Sequence, residues 1–444
     1  MDMDFKTIVR IHFVGIGGIS MSGLARMMLA QGKEVSGSDK VELMTSDVLI
    51  SLQKEGAIIY SGGHAPENVS PVTQLVVYSA AVPEENPELV AARERGIATM
   101  SRARFLGEIS RGYTTIAVSG THGKTTTSAM LTKVMKDAGL DPTALVGSVM
   151  TEYGSNFIAG KSKYLVVEAC EYERQFLDLE PHMLVITNIE EDHLDYYEDI
   201  ADIRNAFRSL ALKVPEDGLI VYNAGQDEKI NDVVGGVPAP LFDYTKVTTD
   251  GLDLHIPGSH NVHNAQAVLA VADALGVSRT QAVAALNDFR GTWRRFEYKG
   301  QTSVGADVYD DYAHHPTAIK TTLAGAREKF GSRRIIAIFQ PHLYSRTHDF
   351  LKGFAESFGD VDEVIITDIY PAREKPGETL PDGTIVPEVH ARDIVAASTH
   401  PRVSYTPSAD VVAYLRKHTQ AEDVIMLLGA GDVYMVAEKM IQGD

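Results

Sequence analysis

Residues 117–130 read AVSGTHGKTTTSAM, and this stretch decides how the centre of the chain folds. The apolar run TTIAVSG leads into its glycines, and the helical pattern SAMLTKVMKDAG follows them. A strand that passes through a glycine-rich turn into a helix is typical of a phosphate-binding loop. The standard loop has four residues between its first glycine and the Gly-Lys pair, but only two residues separate Gly120 from Gly123. The stretch therefore predicts a variant phosphate loop.

The residue types of this loop indicate what each would bind. In such loops the lysine, here Lys124, reaches the β- and γ-phosphates, and the following hydroxyl, here Thr125, coordinates Mg²⁺. Backbone amides and the positive end of the helix dipole offset further negative charge. The alternative is a surface Gly-Lys turn without a ligand, and the flanking strand and helix disfavour it.

A second glycine-rich turn, FVGIGGIS at residues 13–20, follows an apolar run and opens the helical stretch MSGLARMMLAQGK. Gly15 and Gly17 occupy the G-x-G positions, Ser20 occupies the third position, and Asp39 follows the next strand at a distance suited to a ribose hydroxyl. The pattern predicts a site for the diphosphate of a nucleotide without choosing the nucleotide. The alternative is a structural turn in a Rossmann-like half that binds nothing.

Strand-like runs alternate with helical patterns along most of the chain, which predicts an α/β fold with mostly parallel sheets. A chain of 444 residues exceeds what one hydrophobic core supports, so several domains are expected. The segments GEISRGY and GTWRRF suggest two boundaries. They predict three domains, over residues 1–109, 110–292 and 293–444.

Composition narrows the classes of partner. The 60 acidic residues outnumber the 41 lysines and arginines and give a net charge of −19, which argues against nucleic acid or an anionic membrane as the main partner but admits small anionic substrates. The N-terminal stretch lacks the basic start of a signal peptide, and no apolar run is long enough to span a bilayer. The single cysteine, Cys170, excludes a disulfide framework, so we expect a cytoplasmic protein.

Polar residues that follow other strand-like runs complete the candidate site. Glu168 ends the run YLVVE beside the phosphate-loop strand, where a second Mg²⁺ ligand is expected. His193 follows HMLVITN in a loop that also holds three acids, at positions 191, 192 and 195. Asn264 opens an alanine-rich helix, where a helix cap is favoured over a contact with an adenine ring. In the last third, WRRFE, YDDYAHHPT, FQPHLYSRT and DIYPARE gather polar residues around strand ends, which marks the ligand side of an open α/β sheet.

Taken in order, these motifs resemble those of the Mur ligases of peptidoglycan synthesis. The matching stretches are FVGIGGISMSGLA, SGTHGKTTT, EACEYE, TNIEEDHLDYY, GSHNVHNA, RRFE, YDDYAHHPT, FQPHLYSRT and DIYPARE. They span almost the whole chain, so the match is far more specific than either glycine loop alone. The resemblance implies a Rossmann-like N-terminal domain for a UDP-sugar, a central P-loop ATPase domain with a mostly parallel sheet, and a Rossmann-like C-terminal domain.

The resemblance also implies a role for individual residues. The uridine diphosphate would be held by Gly15, Gly17, Gly18, Ser20, Asp39 and Ser79. The ATP site would comprise Gly120, Thr121, His122, Gly123, Lys124, Thr125, Thr126 and Asn264, with Arg295 and Asp311 from the third domain. Asn264 thus becomes an adenine contact, which reverses the cap interpretation. Thr125, Glu168 and His193 would bind Mg²⁺ or Mn²⁺, the catalytic residues would be Lys124, Glu168 and His193, and the amino-acid substrate would lie against Tyr312, His314 and Arg346.

The implied reaction is an ATP-dependent ligation in cell-wall biogenesis. L-Alanine would be joined to the lactyl carboxylate of UDP-N-acetylmuramate through an acyl phosphate, with release of ADP and phosphate. An alternative within the family is the murein-recycling ligase that joins a tripeptide to the same UDP-sugar and differs in its amine pocket. A nicotinamide-dependent oxidoreductase would use only the first loop and leaves Lys124 and Glu168 unexplained. A non-catalytic nucleotide-binding regulator would have lost these residues.

Two positions depart from the family pattern. Leu343 stands where many members carry an arginine or another polar residue, and since leucine cannot hydrogen-bond a carboxylate, Arg346 would carry that task alone. Arg104 replaces an acidic residue that is common in the family near the end of the first domain, and nothing in the sequence explains this change.

Overall fold

The computed structural model describes residue 5 and residues 7–194, 196–225, 229–372, 374–379 and 383–441. It contains three separate sheets, each flanked by helices, which confirms the α/β class and the mostly parallel pairing. The chain forms two compact units. One comprises the residues up to Asp253 together with His263–Phe289, and the other comprises Leu254–Val262 together with the residues from Arg290 onward. The boundaries expected at 109/110 and 292/293 stay predictions.

The first sheet is the Rossmann-like half expected around the upstream glycine turn. Its five parallel strands have the order β3-β2-β1-β4-β5 and comprise β1 Arg10–Val14, β2 Glu34–Ser38, β3 Ile58–Tyr60, β4 Leu75–Tyr78 and β5 Ala98–Ser101. The connecting helices are α1 Ile19–Ala30, α2 Asp47–Lys54, α3 Pro87–Glu94 and α4 Arg102–Ser110. The strand order reverses between β1 and β4, and this switch point is where open α/β sheets bind ligands.

The second sheet has the phosphate-loop strand near its middle. Its order is β12-β11-β10-β6-β9-β7-β8, with β6 Thr114–Ser119, β7 Thr143–Met150, β8 Ser155–Ile158, β9 Tyr164–Glu168, β10 Met183–Ile186, β11 Leu219–Tyr222 and β12 Leu241–Asp243. All neighbours pair in parallel except β7 and β8. Its helices are α5 Lys124–Asp137, α6 Ile200–Ala211, α7 Ile230–Val234, α8 Ser259–Ala274 and α9 Arg279–Asn287. Because β9 and β10 flank β6 in parallel, the residues after all three strands meet at one edge of the sheet.

The third sheet, in the second unit, has the order β13-β14-β18-β15-β16-β17. Its strands are β13 Glu297–Gln301, β14 Asp307–Asp311, β15 Ile335–Phe339, β16 Glu363–Ile366, β17 Val403–Tyr405 and β18 Val424–Leu428, and only β13 runs antiparallel to its neighbour. Its helices are α10 Pro316–Phe330, α11 Tyr344–Asp349, α12 Leu351–Ala355, α13 Ala391–Ala397, α14 Val411–His418 and α15 Met435–Ile441. The buried strands β15 and β18 separate two apolar clusters, as expected for a sheet covered on both faces.

The first and second sheets share one apolar core. A single cluster of buried residues includes Phe13 and Phe105 from the first sheet region and Phe176 and Leu184 from the second. Helix α1 packs on β7 and β8, where a Cβ added at Gly23 would lie 3.1 Å from side-chain atoms of both neighbouring residues, Leu145 and Asn156. The first and second sheets are therefore packed together through this core.

The helices of the described ranges give no candidate for a membrane span. None of them combines enough length with enough apolar character to cross a bilayer.

Candidate active site

The phosphate loop between β6 and α5 depends on both of its glycines. Gly120 has φ +134° and Gly123 has φ +83°, a backbone region that side chains rarely adopt. A Cβ at Gly120 would overlap the hydroxyl of Thr187, and one at Gly123 would lie 2.6 Å from Oδ1 of Asn264. The loop is thus tightly enclosed by its neighbours, and it ends at Lys124, the first residue of α5.

The segment that follows β10 holds this shortened loop in shape. The side-chain amide of Asn188 accepts from the His122 amide at 2.8 Å and donates to the His122 carbonyl at 3.0 Å. The amide of Thr121 donates to the Asn188 carbonyl at 3.1 Å, and the amide of Glu190 donates to the Thr121 hydroxyl at 2.8 Å. The stretch TNIEEDH therefore builds the loop as well as carrying His193. From the sequence, only His193 of this stretch was predicted to belong to the site.

The ammonium of Lys124 is held by two carbonyls of the loop and by one carboxylate. Its ammonium donates to the carbonyls of Gly120 at 2.5 Å and Thr121 at 3.1 Å, and it lies 2.9 Å and 3.0 Å from the two carboxylate oxygens of Glu171. Burial by itself lowers the pKa of Lys124, but nearby negative charges, that of Glu171 first, outweigh burial and raise it above its ordinary value. The lysine is therefore a cation at neutral pH.

Thr125 and Glu168 are brought together as the sequence predicts for metal ligands. The Thr125 hydroxyl donates to Oε2 of Glu168 at 2.9 Å, and the same oxygen accepts from the Gly147 amide at 2.8 Å. A Cβ at Gly147 would overlap this carboxylate, so only glycine leaves room for it. A hydroxyl and a carboxylate are the oxygen donors that Mg²⁺ prefers, and the pair fits that ion.

His193 lies beside a different acid. Its Nε2 is 4.0 Å from Oε1 of Glu171 and 3.9 Å from Oδ2 of Asp192, and its ring packs 4.8 Å from that of Tyr172. Its φ of +55° is unusual for a residue other than glycine. Asp195, expected near this histidine, lies outside the described residues.

Glu171 is a residue of this site that the sequence analysis missed. Its side chain is almost fully buried, and its carbonyl accepts a hydrogen bond from the Tyr197 hydroxyl. Two residues in left-handed conformation, Glu173 with φ +52° and Arg174 with φ +56°, follow it closely. Such strain costs free energy and persists where the surrounding structure fixes it, often at functional sites. The stretch EACEYE carries more than one acid, and only Glu168 was used.

Cys170 stands directly before Glu171 but offers no thiolate chemistry. Burial, with the negative charge of Glu171 as the next cause, raises the pKa of its thiol to about 11. The thiol is therefore neutral at physiological pH and is not activated as a nucleophile.

Asn264 lies inside α8 and not at its N-cap. The helix begins at Ser259, and the side chain of Asn264 is buried against Gly123 of the phosphate loop. The cap interpretation is wrong because the helix starts earlier than the run of alanines indicates. The structure brings Asn264 to the loop, and its contact with adenine stays a prediction.

The residues predicted to hold the uridine diphosphate gather at the carboxyl ends of β1, β2 and β4. The amide of Gly15, which has φ +80°, donates to the Ser38 carbonyl at 2.8 Å. Asp39 accepts from the Gly17 amide at 2.8 Å, so its carboxylate organises the turn. A Cβ at Gly15 would lie 3.6 Å from the Cβ of Ser79. Gly18 is the N-cap of α1, and Ser20 lies in the first turn of that helix.

A buried polar network, which the sequence did not reveal, contacts this turn through Ser38. Glu88 accepts from the Ser38 hydroxyl at 2.5 Å and from the Asn68 amide at 2.6 Å, and it lies 3.3 Å from Nε2 of His12. Burial raises the pKa of Glu88, but the hydrogen bonds from His12, Ser38 and Asn68 outweigh burial and hold it below its usual value. The network fixes Ser38, whose carbonyl holds the first glycine.

In the second unit, the predicted amino-acid residues belong to a row of aromatic rings. The ring of Tyr312 lies 5.1 Å from that of His314, which lies 6.2 Å from His342, and His342 stacks on Tyr370 at 5.7 Å. These residues follow β14, β15 and β16 at the same edge of the sheet. The motif FQPHLYSRT placed His342 among the polar residues on the ligand side of the sheet, but neither His342 nor Tyr370, which lies in DIYPARE, was predicted to contact the amino acid.

Arg346 lies in α11, directly after this row. The start of α11 is fixed by Glu374, which accepts from the Ser345 amide at 3.0 Å. Leu343, the departure from the family pattern, is buried and has φ +66° at the N-cap of this helix. Arg373, in the motif that also contains Glu374, lies outside the described residues.

The two adjacent arginines of RRFE have different surroundings. Arg294 is buried, pairs with Asp310 at 2.8 Å and donates to the carbonyl of Gly431 at 2.8 Å, so its role is structural. Arg295 is half-buried and lies 5.2 Å from the centre of the Tyr312 ring. Asp311 accepts from the amides of Phe296 at 2.7 Å and Ala313 at 2.8 Å. Contacts of Arg295 and Asp311 with ATP stay predictions.

The phosphate loop, the Thr125–Glu168 pair and the second glycine turn are features of an α/β nucleotide-binding enzyme. Three family models match consecutive parts of the chain. The model described as Mur ligase family, catalytic domain, matches residues 10–114, the Mur ligase middle domain matches 118–244, and the Mur ligase, glutamate ligase domain, matches 294–431. The chain belongs to the Mur ligase family and is an ATP-dependent ligase. The oxidoreductase alternative is therefore wrong.

Relatives match over the whole chain. The UDP-N-acetylmuramate–L-alanine ligase of Clostridium tetani is 41% identical over 100% of both chains, and that of Salinibacter ruber is 41% identical over 98% of this chain and 95% of its own. Among solved structures, the UDP-N-acetylmuramate–alanine ligase of Thermotoga maritima has a TM-score of 0.79 and 30% identity and covers 97% of this chain and 98% of its own. A murein peptide ligase of Psychrobacter arcticus has a TM-score of 0.71 and 26% identity, with the same coverage.

Proposed function

We propose that this protein joins L-alanine to the lactyl carboxylate of UDP-N-acetylmuramate at the expense of ATP. The observation that carries the proposal is 41% identity over the entire chain to a ligase of that name. The site supports this proposal, because the phosphate loop before α5 and the glycine turn before α1, which suit ATP and the diphosphate of a UDP-sugar, lie in one compact unit. Of the two solved structures compared, the alanine ligase is also more similar than the murein peptide ligase.

The chemistry requires a carboxylate to attack a phosphate. An oxygen of the lactyl carboxylate would attack the γ-phosphorus of ATP, so that ADP leaves and an acyl phosphate forms. The amine of L-alanine would attack the acyl carbon, and the tetrahedral intermediate would lose its amine proton and expel phosphate. Both reactants are anions, so neutralising their charge in the transition state is the main task of the protein.

The residues of the central domain suit this task. Lys124 would place its positive charge against the β- and γ-phosphates, and the first-turn amides of α5 would donate to phosphate oxygens. Thr125 and Glu168 would hold Mg²⁺, with His193 as a further ligand. When bound, the ion supplies Lewis-acid charge to the transferring phosphoryl group.

The amine site is proposed in the second unit. The row formed by Tyr312 and His314 with their neighbouring rings, together with Arg346, would receive the amino acid. Because Leu343 offers no hydrogen bond from its side chain, the carboxylate of L-alanine would depend on Arg346. A cytoplasmic location and the lack of a nucleic-acid partner stay predictions.

A phosphate-release assay tests the reaction. We expect release from ATP only when UDP-N-acetylmuramate, Mg²⁺ and a small amino acid are present together. L-Alanine, glycine, L-serine and the tripeptide, offered side by side, give the amine preference. Release without the UDP-sugar would refute the ligase proposal, and a preference for the tripeptide would favour the recycling ligase instead.

A pair of lysine variants tests the division of the two sites. Lys124→Met should abolish ligation, while calorimetry should find the affinity for UDP-N-acetylmuramate nearly unchanged. Lys136→Met, in the last turn of the same helix, is the matched control and should keep full activity, because Lys136 forms an ion pair with Asp141, which lies away from the phosphate loop. Loss of UDP-sugar affinity in Lys124→Met alone would contradict separate sites.

A further inference from the structure

The ammonium of Lys124 has three N–H bonds, and the protein itself provides acceptors for all of them. Two are carbonyls of the phosphate loop, those of Gly120 and Thr121, and the third acceptor is the Glu171 carboxylate, with both oxygens within 3.0 Å. A phosphate oxygen that binds Lys124 must therefore replace at least one of these acceptors. Glu171 is the charged one and hence the strongest competitor.

Glu171 is held more firmly than Lys124. Its side chain is 3% exposed, against 13% for that of Lys124. The Tyr197 hydroxyl bonds to its carbonyl, and the left-handed pair Glu173 and Arg174 fixes the chain just after it. Lysine has four flexible side-chain torsions, so an exchange of partners would move the lysine and leave the acid in place.

We propose that Glu171 is a positioning residue that competes with the phosphates of ATP for Lys124, and that this competition sets the affinity of the enzyme for nucleotide. The inference rests on the proposed function, in which Lys124 binds the β- and γ-phosphates. Glu171 keeps the lysine charged and directed into the loop. The same competition weakens the hold on ADP, whose β-phosphate contacts the same ammonium.

A different role for Glu171 predicts the opposite result. Oε1 of Glu171 lies 4.0 Å from Nε2 of His193, a proposed metal ligand. If Glu171 were itself needed to bind Mg²⁺, or were needed only to keep the loop folded, its loss would weaken the binding of Mg²⁺-ATP. Competition for Lys124 predicts that its loss strengthens this binding, and structural damage does not produce such a gain.

The test is the substitution Glu171→Gln in the full chain. Glutamine keeps the shape and one hydrogen-bond acceptor but removes the charge that attracts Lys124. Calorimetric titration with Mg²⁺ and a non-hydrolysable ATP analogue, and separately with ADP, should give dissociation constants about three- to tenfold below those of the wild type, the scale of a partly buried ion pair. The matched control is Glu173→Gln, which removes the same charge two positions away and should change neither constant.

The outcomes separate the inference from the function on which it rests. Equal or weaker nucleotide binding by Glu171→Gln, in a protein that still binds UDP-N-acetylmuramate normally, would overturn the competition. Equal tightening by Glu173→Gln would also overturn it, because the effect would then be general electrostatics. A wild-type protein that binds no ATP at all would instead overturn the proposed function.

Discussion

Removal of Lys124 should destabilise the protein as well as inactivate it, because a buried carboxylate would lose its partner. The side chains of Lys124 and Glu171 are 13% and 3% exposed, and they form a two-oxygen ion pair. Breaking a buried pair by deleting one partner costs about 3–5 kcal/mol. Since the lysine retains some contact with solvent, we expect Lys124→Met to lower the free energy of unfolding by about 3 kcal/mol. At an unfolding entropy of about 2.1 cal/mol/K per residue, that loss corresponds to a fall in Tm of roughly 5 °C for the compact unit that contains both residues.

The double variant Lys124→Met/Glu171→Gln separates stability from activity. Neutralising Glu171 removes the stranded charge, so about 2 kcal/mol of the loss should return. Ligation should stay absent in both variants, because neither has an ammonium for the phosphates. Urea unfolding followed by circular dichroism, with phosphate release measured on the same samples, tests both expectations. Two results would refute a stranded charge at Glu171: a free energy of unfolding of Lys124→Met within about 0.5 kcal/mol of the wild type, which is the range of ordinary surface substitutions, or no recovery of stability when Glu171→Gln is added.

Three further predictions concern the loop, the packing of α4 and the metal. Asn188→Ala removes both hydrogen bonds from the Asn188 side chain to His122. In steady-state assays kcat/KM for ATP should fall about ten- to a hundredfold, while the affinity for the UDP-sugar stays constant. An unchanged kcat/KM would contradict the role of Asn188 in the loop. Gly107→Ala places a Cβ onto the carbonyl of Asp178 and should cost roughly 1–3 kcal/mol in urea unfolding, whereas Gly112→Ala, whose Cβ meets only an oxygen at 3.4 Å, should be close to neutral. Equal effects of the two alanines would refute the steric argument. Chelation of divalent ions should stop phosphate release but leave calorimetric binding of UDP-N-acetylmuramate intact, and continued release in excess chelator would exclude the Thr125–Glu168 metal site.

The sequence predicts the central strands better than the edges. The apolar runs that became β1, β6, β10, β15 and β18 are buried on both faces and are therefore continuous and easy to recognise. Short strands such as β3 and β12, with partly exposed side chains, carry too little pattern to be separated from loops.

Some residues of the candidate site could likewise be predicted from the sequence, and others could not. Lys124, Thr125 and Glu168 were predictable because each follows a recognisable strand and matches a known ligand chemistry. Glu171 was not, because its position depends on two left-handed residues and on Tyr197, which lies far along the chain. Asn188 was overlooked because its side-chain amide bonds to the backbone N–H and carbonyl of His122. Every residue except proline offers both of these groups, so the sequence does not show which residue is the partner.

The shared core of the first two sheets restricts how these parts of the chain can be recombined in evolution. Gly23 in α1 accommodates Leu145 and Asn156 of the central domain, and Gly107 in α4 accommodates Asp178. A gene fusion that takes the first domain from another ligase would have to bring matching partners for both glycines, or the two surfaces would collide. We therefore expect the first two sheets to be exchanged together in evolution, and a substitution on one side of this contact to be accompanied by a compensating substitution on the other side.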